Sequence, residues 1–239
     1  CGTGVSVAGE RADASRILRI TGTKGGLVVH VGCGDGKLTA ALHADDRYLV
    51  HGLDTNEEAV KNARAYIRAQ GVYGPVSVVH WSGDRLPYID NMVNLLVVEN
   101  PGILSNEEMM RVLAPHGVAY VRKGEEWVKR VKPWPDDIDQ WTHYLHGPDN
   151  NAVAQDTVIE PPRGLQWVAG PLWSGDHGPL NGTGCMVSAN GRVFTIEDRA
   201  PVELPRMPGK YTLFARDAFN GMVLWKRRLK NWEAIYHHM

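Results

Sequence analysis

The stretch that decides the fold is Leu27-Val28-Val29-His30-Val31-Gly32-Cys33-Gly34-Asp35-Gly36-Lys37-Leu38. It opens on a short apolar run without polar alternation, which is typical of a β-strand buried on both faces of a sheet. Three glycines follow at alternate positions, where they let the main chain turn sharply and let a ligand lie against it. The stretch therefore predicts a buried strand, a ligand-binding turn and a helix that begins near Lys37.

Strands and helices alternate on both sides of this stretch. The apolar spacing predicts helices over residues 10–20, 37–44, 57–70 and 106–113. Further strands are predicted over residues 48–53, 76–81, 93–98 and 118–121, with a sixth candidate over 125–131. This order predicts an α/β domain over residues 10–131, built on a Rossmann-like, doubly wound, mostly parallel sheet. Such a sheet binds its ligand outside the carboxyl ends of its strands.

The spacing of the glycines excludes two common nucleotide-binding motifs. A dinucleotide fingerprint needs its third glycine at position 37, which is occupied by Lys37. A phosphate-binding loop needs Ser or Thr after its lysine, and Leu38 stands there. Asp54 ends the second predicted strand about 20 residues after the loop, where a carboxylate can accept hydrogen bonds from ribose hydroxyls. The pattern therefore favours a nucleoside held between the glycine loop and Asp54.

Four segments, in order, resemble motifs of the class I S-adenosylmethionine-dependent methyltransferases. The strand that runs into Gly32-Cys33-Gly34-Asp35-Gly36 resembles their first motif. Val50-His51-Gly52-Leu53-Asp54 looks like their second strand, whose terminal acid binds the ribose. Gly83-Asp84-Arg85-Leu86-Pro87-Tyr88 resembles a segment whose Asp approaches the adenine amino group, and residues 110–118 resemble the turn into the fifth strand. The resemblance covers residues 10–125.

The resemblance implies S-adenosylmethionine as cofactor and an unidentified methyl acceptor as second substrate. In it Asp54 holds the ribose, Thr55 flanks the adenine and Asp84 contacts the adenine edge. The residues predicted to bind the cofactor are His30, Gly32, Cys33, Gly34, Asp35, Gly36, Asp54, Thr55, Asp84 and Arg85. Methyl transfer would consist largely of in-line positioning, with a base if the acceptor carries a proton.

The candidates for a catalytic role are Glu99 and Asn100, where the fourth strand ends. Glu99-Asn100-Pro101-Gly102 is similar to the Asn-Pro-Pro-aromatic motif of amino-group methyltransferases, without its second proline and its aromatic ring. Glu99 equally fits a solvated strand end. Cys33 has the character of a small packing residue rather than a nucleophile.

The sequence departs from the family at three positions. His30 stands where the family usually has an acid that organises the loop and the amino group of the methionine. Asn94 replaces an acid often found in the fourth strand, and His116 replaces one of two paired glycines. Loss of two acids should weaken recognition of a cationic cofactor. A second hypothesis is therefore a non-catalytic module for binding or assembly in an exported protein.

The second half of the chain follows a different plan. Of the eight tryptophans only Trp81 precedes residue 127, and a Pro/Trp-rich connector is predicted over residues 132–162. Residues 163–239 have an all-β pattern, with a tight hairpin at Asn190-Gly191. The run Asp217-Ala218-Phe219-Asn220-Gly221-Met222-Val223-Leu224-Trp225 resembles the blade signature of pyrroloquinoline-quinone-like β-propellers. The resemblance implies an incomplete propeller blade, with the remaining blades in the same longer chain, because repeat units cannot bury their faces alone.

Composition excludes several classes of protein. The chain has 239 residues with 26 Lys and Arg against 27 Asp and Glu, so neither nucleic acid nor a membrane surface is favoured as partner. Its apolar runs have the length of strands, so no membrane span is predicted. Hydrophobic residues make up 43%, an ordinary fraction for a globular protein rather than a disordered one.

Cysteines and histidines give no sign of a metal site. Cys1, Cys33 and Cys185 show no C-x-x-C spacing. His143 and His146 have the spacing of one helical face, but they lack carboxylate or cysteine companions at ligand spacing, so we expect no metal. The chain begins with Cys1-Gly2 and shows no signal peptide, which fits either a piece of a longer chain or a mature lipoprotein. An active methyltransferase would be cytoplasmic, whereas the propeller relatives suggest export.

Overall fold

The computed structural model describes residues 7–83, 85–100, 102, 104–157, 161, 164–170, 183–199 and 210–230. The chain divides into two compact units, Cys1–Trp134 and Pro135–Met239. The elements of the first unit are α1 Val7–Thr21, β1 Gly26–Val31, α2 Lys37–Leu42, β2 Tyr48–Asp54, α3 Glu57–Ala69, β3 Val76–His80, β4 Val93–Val98, α4 Asn106–Val112, β5 Leu113–Lys123 and β6 Glu126–Val131.

The six strands of the first unit form one sheet in the order β3-β2-β1-β4-β5-β6. The first five strands are parallel, and β6 runs antiparallel to β5. The predicted α/β class and mostly parallel sheet are therefore confirmed. The chain builds outward from β1 to β3 and then crosses to β4 on the other side of β1. The strand order reverses between β1 and β4, and ligands of such sheets bind outside the carboxyl ends of the strands at that point.

Two apolar clusters cover the two faces of this sheet. Alternate side chains of a strand point to opposite faces, so Val28 and Val29 of β1 belong to different clusters. On one face the sheet packs against α1, α2 and α3, through residues such as Ile17, Leu42 and Ile67. On the other face it packs against α4 and the segment that follows β3. Burial on both faces explains why β1 lacks polar alternation, and it holds the ends of β1 and β4 rigidly.

The prediction for the fifth strand was wrong at its start. β5 begins at Leu113, directly after α4, instead of at Val118. The segment expected to be a turn lies inside the strand, where His116 has a φ of 63° and β4 shows a register shift against β5. A Cβ at Gly117 would lie 2.7 Å from the carbonyl oxygen of Ala114, so only glycine fits there. Gly117 is therefore required for close packing. His116 adopts a left-handed conformation that glycine would adopt more easily.

The second unit contains a four-stranded antiparallel sheet in the order β10-β9-β8-β7. Its strands are β7 Thr183–Ala189, β8 Arg192–Asp198, β9 Tyr211–Asp217 and β10 Val223–Arg228. Asn190 and Gly191 both have positive φ, as a two-residue hairpin of the predicted kind requires. In the turn between β9 and β10, the Asp217 carboxylate accepts hydrogen bonds from the main-chain N–H groups of Phe219 and Asn220. Parts of the predicted blade, residues 171–182, 200–209 and 231–239, lie outside the described residues.

His143 and His146 do not share a helical face. They face each other across an isolated antiparallel bridge, and the φ of 69° at His146 is incompatible with a right-handed helix. The Nε2 atom of His146 lies 2.6 Å from the Asp139 carboxylate, which also accepts the main-chain N–H of Gln155. This histidine therefore has a structural partner. Within the described ranges, no group of three or more His, Cys, Asp or Glu side chains could hold a metal ion.

Candidate cofactor site

The candidate site lies where the carboxyl ends of β1 and β4 meet. The glycine loop, residues 32–36, leaves the end of β1, and Glu99 directly follows β4. Hydrogen bonds hold both segments: the N–H of Gly32 donates to the Leu53 carbonyl at 2.9 Å, and the N–H of Glu99 donates to the Val31 carbonyl at 3.1 Å. The main-chain hydrogen bonds of the sheet therefore continue into the loop and Glu99, at the point where the strand order reverses.

The three glycines of the loop share a left-handed conformation but differ in their surroundings. All three have positive φ, at 80°, 51° and 76° for Gly32, Gly34 and Gly36. A Cβ at Gly36 would lie 2.7 Å from the Cβ of Ala63, so this glycine lets α3 pack against the loop. A Cβ at Gly34 would meet no described atom within 4 Å. Gly34 is therefore the glycine at which bare main chain faces open space that a ligand can occupy.

Asp54 is directed toward this loop. One oxygen of its carboxylate, Oδ2, accepts a hydrogen bond from the N–H of Gly34 at 2.8 Å, and Oδ1 accepts one from the N–H of Asn56 at 3.0 Å. A carboxylate offers about four acceptor positions, so these two bonds leave capacity for ligand hydroxyls. The acid thus both fixes the loop and lies beside its open glycine.

The residues predicted near the adenine follow β2 and β3. Thr55 is exposed, and its carbonyl oxygen lies 3.1 Å from Nε2 of His80. Arg85 is exposed, and its carbonyl accepts a hydrogen bond from the Trp81 indole at 2.7 Å. Asp84 lies outside the described residues. Thr55 and Arg85 therefore lie at the same edge of the sheet as Asp54.

Cys33 and Asp35 point in different directions from the loop. Cys33 is only 4% exposed and lies in the core cluster on the face of the sheet that packs against α1, α2 and α3. Burial, together with the charge of Asp54, raises the pKa of its thiol to about 12, so the thiol stays protonated and is a poor nucleophile. Asp35 is exposed, and its carboxylate forms an ion pair with Lys37 at 2.5 Å.

His30 is buried beneath the loop and has a partner on each ring nitrogen. Its Nδ1 atom lies 2.9 Å from the Thr39 hydroxyl, and its Nε2 atom lies 3.3 Å from Oε1 of Glu99. An ionised carboxylate only accepts hydrogen bonds, so Nε2 carries the proton and donates to Glu99. In the neutral ring, Nδ1 then accepts from Thr39. The histidine therefore connects α2 to the end of β4.

Glu99 is more constrained than a solvated strand end. Its side chain is 34% exposed. The hydrogen bond from His30 lowers the pKa of its carboxyl, against the opposing effect of burial. A carboxylate of low pKa is a weak base at neutral pH, so the geometry does not favour Glu99 as the proton acceptor in catalysis. Asn100, the other catalytic candidate, is exposed, and its main-chain nitrogen lies close to Gly32.

Asn94 lies far from this site although it belongs to the same strand as Val98. It stands near the amino end of β4, where its Oδ1 atom accepts a hydrogen bond from the N–H of Leu27 at 2.8 Å. Its side chain links the start of β1 to β4. Of the two acids that the sequence lacks, the one at position 94 would therefore lie at the wrong end of the strand to contact a ligand beside the glycine loop.

A glycine loop after β1 and an acid at the end of β2, at the point where the strand order reverses, form the arrangement in which open α/β sheets bind nucleotide-type ligands. Residues 28–117 match the family described as "Methyltransferase domain". The matched range includes the glycine loop, Asp54 and Glu99. The match supports S-adenosylmethionine as the cofactor of this α/β domain. A comparison with curated protein sequences gives no match.

Solved structures of methyltransferases are similar to part of the chain. A candidate S-adenosylmethionine-dependent methyltransferase from Methanococcus maripaludis is 18% identical over 51% of this chain and 65% of its own, with a TM-score of 0.43. An S-adenosylmethionine-dependent methyltransferase from Aquifex aeolicus is 22% identical over 48% of this chain and 68% of its own, with a TM-score of 0.41. Geranyl diphosphate C-methyltransferase from Streptomyces coelicolor is 18% identical over 47% of this chain and 45% of its own, with a TM-score of 0.42. The chain thus spans less than two thirds of the first and third of these proteins.

The described part of the chain contains no helix that is long and apolar enough to cross a membrane.

Proposed function

We propose that the α/β unit binds S-adenosylmethionine beside the glycine loop and transfers its methyl group to an acceptor. The observation that carries the proposal is the pairing of Asp54 with Gly34, the loop glycine that faces open space. In this arrangement the Asp54 carboxylate accepts hydrogen bonds from the ribose, and the bare main chain of the loop lies against the nucleoside. Thr55 and Arg85 lie along the adenine.

In methyl transfer from S-adenosylmethionine, the main contribution of the protein is to position the two reactants. A lone pair of the acceptor forms the new bond to the methyl carbon, and the carbon–sulfur bond breaks with its electrons left on sulfur, which yields S-adenosylhomocysteine. Holding donor and acceptor in line supplies most of the acceleration in such a transfer. Rigid strand ends at β1 and β4 suit this task. The acceptor would approach from the open side of the loop, near Asn100.

The hypothesis of a non-catalytic module depended on the two missing acids. Asn94 lies at the amino end of β4, and a carboxylate, Glu99, stands beside His30. Neither departure therefore separates this chain from a working cofactor site. No observation on the described residues favours the non-catalytic alternative.

The test is calorimetric titration with S-adenosylhomocysteine. Wild-type protein should bind it, and Asp54→Ala should bind about 10- to 100-fold more weakly, because hydrogen bonds to a charged group contribute about 1.5–3 kcal/mol each. The matched control is Asp46→Ala, which removes an exposed carboxylate just before β2 and should leave the affinity unchanged. Absence of binding by the wild-type protein at high concentration would refute the proposal. An unchanged affinity in Asp54→Ala would refute the ribose assignment.

For the second unit, the proposal is that its antiparallel sheet is one blade of a β-propeller and that residues 132–162 connect it to the α/β unit. Support comes from the four antiparallel strands, which is the strand number of a blade, and from the turn shaped by Asp217 and Gly221. Further copies of the Asp217–Trp225 pattern in the encoding gene would support this architecture. A gene without such copies would refute it.

A further inference from the structure

Within the proposed function, we infer that Glu99 binds the ammonium group of the cofactor's methionine arm and that His30 holds Glu99 in place for this contact. The carboxylate comes from the end of β4, and the ring that positions it comes from β1. Glu99 is then a binding residue, and His30 is a positioning residue that acts through it.

The position of Glu99 in the crevice supports this role. A Cβ at Gly32 would lie 3.6 Å from the Cβ of Glu99, so this side chain leaves β4 directly over the first glycine of the loop. Its Oε1 atom is held by His30 at 3.3 Å. Its Oε2 atom forms a long ion pair with Nη1 of the exposed Arg122 side chain at 3.9 Å, beyond hydrogen-bond distance. The carboxylate is therefore oriented by one bond and retains acceptor positions for a ligand.

The distance between the two acids fits the cofactor. Asp54 ends β2 and Glu99 follows β4, and these strands flank β1 on its two sides. Neighbouring strands lie about 4.8 Å apart, so the two strand ends are about 10 Å apart. Between the ribose 5′ carbon and the ammonium nitrogen the cofactor has one sulfur and three carbons. With a hydrogen bond of about 3 Å at each end, this arm can connect a ribose at Asp54 with an ammonium group at Glu99.

The surrounding charge also favours a cationic arm. The pKa of the Glu10 carboxyl is raised by burial, then by the negative charges of Asp35 and Asp13 and, least, by that of Glu99, while Lys37 lowers it. Carboxylates from α1, from the glycine loop and from the end of β4 therefore act on the same region. A positively charged ligand group gains from this field, whereas a neutral group does not.

The experiment compares three ligands in wild-type protein and in Glu99→Gln. S-adenosylmethionine and S-adenosylhomocysteine both carry the ammonium group, and 5′-methylthioadenosine lacks the amino-acid part of the arm. Glu99→Gln should weaken binding of the first two by about tenfold or more, because a charge-assisted hydrogen bond is lost. Binding of 5′-methylthioadenosine should not change. The control Asp46→Asn, an exposed carboxylate just before β2, should change none of the three affinities.

The outcomes separate this inference from the proposed function. If the wild-type protein binds none of the three ligands, both fail. If it binds S-adenosylhomocysteine and Glu99→Gln binds it equally well, only the inference fails. A loss confined to S-adenosylmethionine would place Glu99 at the sulfonium and would overturn the ammonium assignment. An equal loss for 5′-methylthioadenosine would indicate a disturbed loop and would also overturn it.

The role of His30 is tested by a pair of variants. His30→Leu removes the donor to Glu99, and His30→Gln retains an N–H donor on a side chain of similar length. We expect the affinity for S-adenosylhomocysteine to fall in His30→Leu and to be largely restored in His30→Gln, while 5′-methylthioadenosine binds both equally. Equal losses in both variants, for both ligands, would show that the ring only supports the core and would refute the positioning role.

Discussion

Strands β1 and β4 lie next to each other, and their two ends differ. Their amino ends form a closed region, whereas their carboxyl ends form an open one. At the amino end, the Asn94 side chain lies against Gly26 and bonds the N–H of Leu27 at 2.8 Å. At the carboxyl end, Glu99 leans over Gly32, while Gly34 faces open space. Both ends use a glycine with positive φ opposite a polar side chain, Asn94 in β4 at one end and Glu99 directly after β4 at the other. The amino end uses this pair to join strands, and the carboxyl end leaves room for a ligand.

The largest expected effect is at the closed end. In Gly26→Ala the new Cβ would overlap the Asn94 amide, and φ at this position is 96°. Asn94 would have to move and give up its bond to Leu27, and alanine would adopt a strained conformation. We expect the free energy of unfolding to fall by about 3 kcal/mol or more, measured by urea denaturation.

Gly22→Ala is the matched control for this substitution. Gly22 also has a positive φ, 77°, but a Cβ there would meet no described atom within 4 Å. Only the conformational cost of about 1–2 kcal/mol should appear. Equal losses in the two variants would contradict the claim that Asn94 closes the amino end of the β1–β4 pair.

A smaller effect on stability, with an effect on binding, is expected at the open end. Gly34 has a φ of 51°, and a Cβ there would meet no described atom within 4 Å. Gly34→Ala should therefore lower the free energy of unfolding by only about 1–2 kcal/mol. The added methyl group would occupy space next to the proposed nucleoside, so the affinity for S-adenosylhomocysteine should fall in calorimetric titration. An unaltered affinity would mean that the ligand does not lie against this glycine.

The contrast between the two ends also shows what the sequence could predict. The apolar run of β1, the glycine loop and the acid at the end of β2 are local patterns, and each was found where the pattern predicted it. The start of β5 was missed because Pro115 and Gly117 favour a turn. Strand β4 pairs with Leu113 and again from Val118 onward, and between these points the main chain of His116 and Gly117 exchanges hydrogen bonds with Lys132. Asn94 bonds the start of β1, and Glu99 contacts His30 near its end. Both contacts depend on β4 lying next to β1.

The pairing of His30 with Glu99 could not be predicted from spacing. The two residues are 69 positions apart, and they meet only because β4 lies next to β1 in the strand order. The sequence did contain one indication, since both residues stand near the predicted carboxyl ends of strands. It did not say which strands are neighbours. The sequence of β1 shows a histidine in place of an acid at position 30. The carboxylate beside that histidine, Glu99, comes from the end of the neighbouring strand β4.

The smallest expected effect is the pH dependence that Glu99 gives to stability. The hydrogen bond from His30 lowers the pKa of Glu99 from its ordinary value of 4.5. A carboxyl whose pKa is depressed by folding stabilises the folded state above its unfolded pKa, and this contribution is lost as the pH falls through the folded pKa. The side chain is about one third exposed, so the contribution should remain below about 1 kcal/mol.

The prediction is tested by comparing wild-type protein with Glu99→Gln over a range of pH. The difference in free energy of unfolding should shrink as the pH falls below the unfolded pKa of Glu99 and through its lower folded pKa. Urea denaturation at each pH measures it. A difference that grows toward acid pH would mean that Glu99 is destabilised by folding. In that case the surroundings of Glu99 would disfavour its charged form, and the hydrogen bond from His30 would not compensate. The carboxyl end of the β1–β4 pair would then lack an oriented acid.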